Sequence, residues 1–154
     1  MKERLDKADR QILRLLQQDG RISNADLARK VGLSPPSMLQ RVRKLENSGF
    51  IRGYCTVLDA EKLGFNLVII AQVSLSMHQD QPIDQFLAAI SDLPEVLECY
   101  HVSGDYDFML KIVAKDMHDY ERIVKEHLTA IKVVGKIHSC FVLNVNKKSE
   151  VLPI

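Results

Sequence analysis

The chain has 154 residues, with 21 Lys and Arg against 20 Asp and Glu, and 46% of its residues are hydrophobic. A chain of this length holds one ordinary domain or two small ones, and this composition excludes a chain that is disordered throughout. No signal peptide and no apolar run long enough to cross a membrane is present, which predicts a soluble, cytoplasmic protein. Cys55, Cys99 and Cys140 are odd in number and widely spaced, so we expect reduced thiols rather than a disulfide framework or a zinc site.

The two halves of the chain differ in charge. Residues 1–60 carry 12 Lys and Arg against 7 Asp and Glu, whereas residues 61–154 carry 9 against 13. This asymmetry indicates one half that faces nucleic acid and a second half with a different task.

Three short helical patterns fill the first 50 residues. The first begins at Asp6, where Asp9 three residues later forms a weak variant of the capping box, and it ends at the Asp-Gly pair at 19–20. The second begins near Ser23. It is expected to bury small and aliphatic side chains: Ala25, Leu27, Ala28 and Val31.

The third helix has an explicit start. Ser34 is a good N-cap, and Pro35 and Pro36 follow at positions where a missing N–H breaks no intrahelical bond. Gly49 is expected to end the helix in a left-handed conformation. The predicted core-facing stripe is Leu39, Val42 and Leu45, with Met38 beside it.

The opposite face of this helix carries small, amide and cationic side chains. Arg and Gln pair with base edges, Ser and Lys reach phosphates, and a helix-turn-helix places such a second helix in the major groove. The alternative is an ordinary surface helix of a small bundle. Residues 21–54 contain seven basic side chains and two acidic ones, and this surplus favours DNA binding.

We therefore predict two groups of DNA contacts. Base contacts are assigned to Ser37, Gln40 and Arg41, with Ser34, Pro36 and Met38 close to the bases. Phosphate contacts are assigned to Arg21, Lys44 and Arg52.

The run at 51–58 has the pattern of a strand, which would form a wing beside the recognition helix. The DNA-binding domain is thus predicted over 1–58, with the helix-turn-helix motif at about 24–43. A linker is predicted over 59–66 and a second domain over 67–154.

The second domain changes to a pattern of strands and helices. Strands are predicted at 67–75, 96–102, 108–114 and 133–145, and helices at 82–93 and 117–131. The order β-α-β-β-α-β predicts a ferredoxin-like module, an antiparallel four-stranded sheet with both helices on one face, so the fold class is α+β. The first of these helices is expected to bury Ile83, Phe86, Leu87 and Ile90.

The face of the sheet away from the helices is predicted to be apolar. The residues expected on it are Ala71, Val73, Tyr100, Val102 and Phe141. Because a face of this composition would leave a large apolar patch in water, the sequence predicts sheet-to-sheet dimerisation.

Four segments together resemble the leucine-responsive regulatory protein/asparagine regulator (Lrp/AsnC) family of transcriptional regulators. They are LDKADRQIL at 5–13, LQQDGRIS at 16–23, VGLSPPSMLQRVRKLENSGFIRGY at 31–54 and HVSGDYDFMLKIVAKDM at 101–117. The resemblance covers nearly the whole chain and implies a winged helix-turn-helix followed by an α/β domain for effector binding and assembly. It also implies homodimers that build tetramers or octamers, a small amino acid such as leucine or methionine bound between dimers, and no other cofactor.

The resemblance places the effector at the segment SGDYD, residues 103–107. Gly104 lets a ligand approach the backbone, and the carboxylates of Asp105 and Asp107 can bind its ammonium group. Ser103 can donate or accept. Without the resemblance, an ordinary polar hairpin turn would account for the same residues. The residues leading into the loop are implied as further pocket residues: Tyr100, His101 and Val102.

One segment departs from the family pattern. The family often has a Leu-Pro-Gly-Val turn before its last strand, whereas here Ile131–Lys132–Val133–Val134 comes first and the glycine is Gly135. The same turn borders the assembly surface, so the oligomer size and the ligand preference stay open.

Two other functions stay open. A nucleoid-organising DNA-binding protein would need no effector, and siroheme decarboxylases look similar in architecture but would use His and Arg for tetrapyrrole carboxylates. Arg122 is the only arginine of residues 61–154. The five histidines lack metal-ligand spacing and no catalytic triad pattern occurs. We therefore predict a sequence-specific transcriptional regulator, not an enzyme, whose assembly or DNA binding is modulated by a small amino acid.

Overall fold

The structure is a computed structural model that describes residues 4–76 and 81–154. The chain forms two compact units. The N-terminal unit contains the described residues up to Val57 together with Lys147–Ile154, and the C-terminal unit contains the described residues of Leu58–Asn146. The predicted second domain included 147–154. These residues instead pack in the N-terminal unit, where Gln17 Nε2 donates to the Leu152 carbonyl at 3.3 Å and Gln17 Oε1 accepts the Leu152 amide at 2.6 Å.

Three helices build the N-terminal unit: α1 (Lys7–Gln18), α2 (Asn24–Val31) and α3 (Pro35–Asn47). They begin after the predicted N-caps Asp6, Ser23 and Ser34. The first cap is a complete capping box, in which Asp6 and Asp9 each accept the other's backbone amide. Gly32, with φ 78°, takes the left-handed conformation that joins α2 to α3. The predicted starts of all three helices are confirmed.

The core of the N-terminal unit corrects the predicted phase of α3. Its buried residues are Ile12, Leu13, Leu27, Ala28, Met38, Val42 and Leu45. Met38 is fully buried whereas Leu39 is 37% exposed, which reverses the predicted roles of these two neighbours. The buried positions of α3 follow the spacing i, i+4, i+7, which leaves Leu39 about 100° round the helix from Met38. Ala25, also predicted to be buried, is exposed on α2, where Leu27 and Ala28 make the core contacts.

The strand predicted at 51–58 is not formed. After the Ile51 amide donates to the Leu45 carbonyl at 3.1 Å, residues 52–59 run without regular secondary structure. A strand needs a neighbour for its backbone hydrogen bonds, and the described part of the N-terminal unit contains helices and irregular chain alone. The segment predicted as the strand of the wing therefore runs as irregular chain after α3.

The C-terminal unit has the predicted ferredoxin-like order. After a 3₁₀ turn at Glu61–Leu63 its elements are β1 (Leu67–Leu75), α4 (Pro82–Ser91), β2 (Val96–His101), β3 (Phe108–Ala114), α5 (Met117–Arg122) and β4 (Val134–Phe141). α5 continues as a π-helical stretch over Ile123–Leu128. The sheet order is β2-β3-β1-β4 with antiparallel pairing throughout, which confirms the α+β fold class. In the described part of the chain, no helix has the length and apolar character needed to cross a membrane.

β4 is shorter than predicted. The Val142 amide donates to the Val68 carbonyl at 2.9 Å, and β1 begins at Leu67. Because β1 offers no further partner beyond this point, residues 143–145 leave the sheet.

Strand register decides which residues the helices cover, and it corrects the predicted faces. Ile69, Ala71 and Val73 alternate along β1, are all fully buried and pack in one cluster with residues of α4 and α5. Ala71 and Val73 therefore lie on the helix-covered face and not on the open face. Two residues of α4 predicted to be buried, Ile83 and Leu87, are exposed.

Two aromatic residues fall on opposite faces of the sheet. Phe141 pairs with Ile69 and so shares the covered face, where its ring meets Tyr120 of α5 edge-on at 5.4 Å between centroids. Tyr100 pairs with Met109, whose neighbours in β3 are core residues, so Tyr100 lies on the open face as predicted. Val102 lies beyond the end of β2 and is half-buried.

Replacing Met38 with Ala should lower the free energy of unfolding of the N-terminal unit by about 2–4 kcal/mol, because it deletes a fully buried side chain. The matched change Leu39→Ala removes a similar volume from the surface and should cost less than about 1 kcal/mol. Urea unfolding followed by far-UV circular dichroism measures both changes. Equal losses in the free energy of unfolding would contradict the different burial of Met38 and Leu39.

Candidate DNA-binding and effector sites

The exposed face of α3 carries the polar groups that contact with DNA requires. Gln40, Arg43, Lys44, Asn47 and Ser48 line one shallow hollow on this helix. Gln40 and Arg43 lie three residues apart and are therefore neighbours on the helix surface. Arg43 is missing from the predicted contacts, although this spacing is visible in the sequence.

The N-terminal end of the same face is formed by Ser34, Pro36 and Ser37, which are all exposed. The Ser34 hydroxyl accepts the Ser37 amide at 3.4 Å and donates to Ser37 Oγ at 2.9 Å. α3 therefore brings together five of the predicted DNA contacts: Ser34, Pro36, Ser37, Gln40 and Lys44.

Arg21 and Arg52 lie outside α3, and both are exposed. The Arg21 amide donates to Asp19 Oδ1 at 2.9 Å, just after α1. Arg52 belongs to the irregular segment that follows α3. That segment is attached to α3 by Tyr54, whose hydroxyl donates to Glu46 Oε1 at 3.1 Å. Partial burial, and then the Glu46 carboxylate, raise the pKa of Tyr54.

The prediction that Met38 contacts DNA is wrong. Its side chain is fully buried in the helical core, so no surface remains for a base to touch. The sequence could not separate it from Leu39, since both are apolar and adjacent.

Arg41 is turned toward α1, and its side chain is 34% exposed. Its Nη1 lies 2.7 Å from Asp6 Oδ2 and 2.7 Å from Asp9 Oδ1, and Asp9 is only 6% exposed. Hydrogen bonds to the two carboxylates raise the pKa of Arg41. The pKa of Asp6 is lowered, first by the Asp9 amide that it accepts and then by Arg41. The base contact predicted for Arg41 is therefore not supported by its position.

The loop 103–107 is anchored to the end of β1 by Asp107. Its carboxylate Oδ2 accepts the Leu75 amide at 2.7 Å, and its own amide donates to the Val73 carbonyl at 3.0 Å. The Asp107 carbonyl accepts the Val102 amide at 3.0 Å and closes the hairpin. Gly104 has φ 127°, a backbone conformation that favours glycine. Asp107 thus shapes the loop as well as carrying a charge.

The other predicted effector residues lie in or beside this hairpin with differing exposure. Ser103, Gly104, Asp105, Tyr100 and His101 are exposed. The Tyr100 hydroxyl donates to Glu98 Oε2 at 2.6 Å, and the His101 ring stacks on Phe108 at 4.7 Å between centroids.

β4 contributes two basic side chains beside the loop that the sequence did not indicate. The ring of Tyr106 stacks with His138 at 6.2 Å between centroids, and Lys136 Nζ lies 5.9 Å from the centre of the Tyr106 ring. Ser74 and Gln72 of β1 pair with Lys136 and His138, so strand register brings these residues to the loop. No local sequence pattern could have signalled this, since about 30 residues separate them from 103–107.

A second hollow of about 580 Å³ lies between α5 and β4, and none of the predicted effector residues lines it. Its lining residues are Met117, His118, Tyr120, Glu121, Val124, Lys125, Ser139 and Phe141.

Family comparisons match both units of the chain. A family model described as Lrp/AsnC ligand binding domain matches residues 68–152, and one described as winged helix-turn-helix DNA-binding matches residues 5–52. The chain belongs to the Lrp/AsnC family. The first match contains the hairpin at 100–107, and the second contains the exposed residues of α3.

Relatives that match 97% of the chain are regulatory proteins. The leucine-responsive regulatory protein of Salmonella typhimurium is 41% identical over 150 residues, which cover 97% of this chain and 92% of the relative. Transcriptional regulator AzlB of Bacillus subtilis is 38% identical over 150 residues, which cover 97% of this chain and 96% of the relative. A transcriptional regulator of Neisseria meningitidis, solved as a complex with L-Met, has a TM-score of 0.93 at 33% identity, with 97% of each chain covered. The predicted family, fold class and function as a transcriptional regulator are confirmed.

In this Lrp/AsnC protein, Asp107→Ala should lower the free energy of unfolding of the C-terminal unit by about 1–3 kcal/mol, because the Leu75 amide loses its acceptor. Asp105→Ala removes the same charge from an exposed position of the loop and should change stability by less than about 0.5 kcal/mol. Differential scanning calorimetry measures both. If Asp107→Ala leaves the free energy of unfolding unchanged, water replaces this hydrogen bond at no cost.

Proposed function

We propose that this Lrp/AsnC regulator binds double-stranded DNA through the exposed face of α3. We further propose that it acts in the cytoplasm as a homodimer that builds tetramers or octamers, and that an amino acid bound at 103–107 changes its assembly or its DNA affinity. The observation that carries the DNA proposal is the adjacency of Gln40 and Arg43 on the exposed side of a helix whose other side is core.

The chemistry of α3 assigns distinct tasks to its exposed residues. Gln40 can pair with adenine and Arg43 with guanine in the major groove, where each base pair presents a distinct pattern of donors and acceptors. Ser34 and Ser37 at the helix N-terminus, and Lys44, Arg21 and Arg52 around it, would contact phosphates and fix the register. Two copies would read half-sites about 34–36 Å apart, one turn of DNA.

Replacing Arg43 or Gln40 with Ala should reduce discrimination between a specific and a scrambled duplex by about 5- to 150-fold, the equivalent of about 1–3 kcal/mol per base contact. Lys115→Ala is the matched control for Arg43→Ala, since it removes one positive charge from an exposed position of the C-terminal unit. Fluorescence anisotropy with both duplexes measures the ratio. If Arg43→Ala and Lys115→Ala behave alike, then α3 does not read bases through Arg43.

The effector proposal rests on the complementarity between an amino acid and the loop. A zwitterion needs an anion for its ammonium group and donors for its carboxylate. The loop offers the carboxylates of Asp105 and Asp107, and Lys136 lies beside Tyr106. The relative solved with L-Met supports an apolar amino acid as the ligand class. Such a ligand changes DNA binding only if it has different affinities for two states of the protein.

Asp107→Asn separates the charge of this residue from its hydrogen bond. The amide oxygen of Asn can still accept the Leu75 amide, but it no longer attracts an ammonium group. In a thermal-shift scan over amino acids, the ligand should stabilise the wild-type protein by about 2.7 kcal/mol at a hundredfold excess over Kd. Asp107→Asn should abolish this shift, whereas the exposed control Asp92→Asn should retain it. A full shift with Asp107→Asn would remove Asp107 from the site.

An effector-independent, nucleoid-organising protein is the second candidate. The hydrogen bonds of Asp107 account for the shape of the loop without any ligand, so a scan in which no amino acid stabilises the protein would favour this function. The siroheme-decarboxylase alternative has less support. Arg122 is engaged by Asp119 at 2.8 Å and Glu95 at 3.3 Å, and so is not presented to the carboxylates of a tetrapyrrole.

A further inference from the structure

Three charged residues connect the start of α1 to the middle of α3. Asp6 Oδ1 accepts the Asp9 amide at 2.7 Å and Asp9 Oδ2 accepts the Asp6 amide at 3.2 Å, which completes the capping box of α1. The remaining oxygens, Asp6 Oδ2 and Asp9 Oδ1, both accept from Nη1 of Arg41. We infer that Arg41 is a positioning residue for DNA recognition, which holds α3 at the rotation and height that present Gln40 and Arg43 to the bases. This inference rests on the proposed DNA binding by α3.

The backbone of α1 holds the two carboxylates in place independently of Arg41. Each has one oxygen committed to the backbone of α1, so its second oxygen has a defined direction. Asp9 is also the one buried charged residue among those that the structure describes. A nearly buried carboxylate requires a partner, because leaving it unpaired is costly. Arg41 supplies that partner from α3.

The apolar contacts of α3 decide which side of the helix is buried, and the hydrogen bonds of Arg41 restrict its rotation further. Met38, Val42 and Leu45 give α3 a buried side, but hydrophobic contact is non-directional. A rotation of about 10° moves a side-chain tip that lies about 6 Å from the helix axis by roughly 1 Å. Hydrogen bonds to base edges weaken steeply at such displacements. Directional bonds from Arg41 to α1 restrict this rotation.

The charge of Arg41 contributes little to DNA attraction, because two carboxylates lie in direct contact with it. Loss of Arg41 should therefore reduce specificity and leave the salt dependence of binding unchanged. A residue in contact with phosphate behaves differently, since its removal lowers the slope of log K against log salt by about 0.9 per contact.

The experiment uses the full-length protein, a duplex that the wild type selects from random sequences, and a scrambled duplex of equal length. Binding to both is measured by fluorescence anisotropy over a range of salt concentrations. Arg41→Ala should reduce the ratio of specific to non-specific affinity by about tenfold or more with an unchanged salt slope. Because both carboxylates meet the same nitrogen, Arg41→Lys keeps a single bridging ammonium and should recover most of the ratio.

Asp6→Asn tests the same positioning role by changing a hydrogen-bond partner of Arg41. Asn is as good an N-cap as Asp, so α1 keeps its start, but the amide group removes the charge that Arg41 contacts. Electrostatics alone predicts tighter DNA binding, since a negative charge is lost near a basic domain. Positioning predicts a lower ratio of specific to non-specific affinity. Circular dichroism and the melting temperature identify any variant that fails to fold, and Asp6→Asn and Arg41→Lys then decide the test.

The outcomes separate the inference from the proposed function. A lower salt slope with Arg41→Ala, or an unchanged or higher specificity ratio with Asp6→Asn, would overturn the positioning role while DNA binding stands. A wild-type protein that selects no duplex would overturn both.

Discussion

The burial of Met38, Val42 and Leu45 is the constraint on which the proposed DNA-binding face of α3 depends. Once this side of α3 packs in the core with α1 and α2, the positions of all its other side chains follow from the helical repeat of about 100° per residue. Gln40 and Arg43 turn outward. Arg41 lies at the edge of the buried side, and so it contacts α1. One packing arrangement therefore decides which cation faces solvent and which one stabilises the unit.

The central strand has a comparable role in the C-terminal unit. β1 is hydrogen-bonded to β3 on one side and to β4 on the other, and its end holds the loop 103–107 through Asp107. The same strand brings Lys136 and His138 of β4 to Tyr106. Chemical groups from distant parts of the sequence meet at one end of β1. The proposed effector site therefore combines carboxylates of the loop with a cation of β4.

What the sequence predicted well was local. Ser34 before Pro35 and Pro36, and Asp6 before Asp9, specify helix starts within a few residues, and the alternation of apolar residues along β1 specifies a strand. The order β-α-β-β-α-β then predicted how the elements of the C-terminal unit combine, and the family resemblance implied the same fold. The errors concern contacts over longer distances. Arg41 and its partners are 32 and 35 residues apart, so a basic residue on a polar helix face could not be distinguished from one bound to another helix. Ala71, Val73 and Phe141 were misplaced because apolar composition does not state which face of a sheet the helices cover.

The predicted domain boundary is wrong for the same reason, because the contacts that decide it join distant parts of the sequence. Residues 147–154 follow the last strand, yet the Leu152 backbone is hydrogen-bonded to Gln17, the Arg14 guanidinium donates to the Ile154 carbonyl, and Ile154 packs against the core of α1, α2 and α3. The N-terminal unit thus contains residues that precede the α/β unit in the sequence and residues that follow it. A fragment ending at residue 58, the boundary that the sequence indicates, would lose these contacts on α1. Since Asp9 lies on α1 and Asp6 caps it, the residues after β4 help to support the helix to which Arg41 of α3 is bonded.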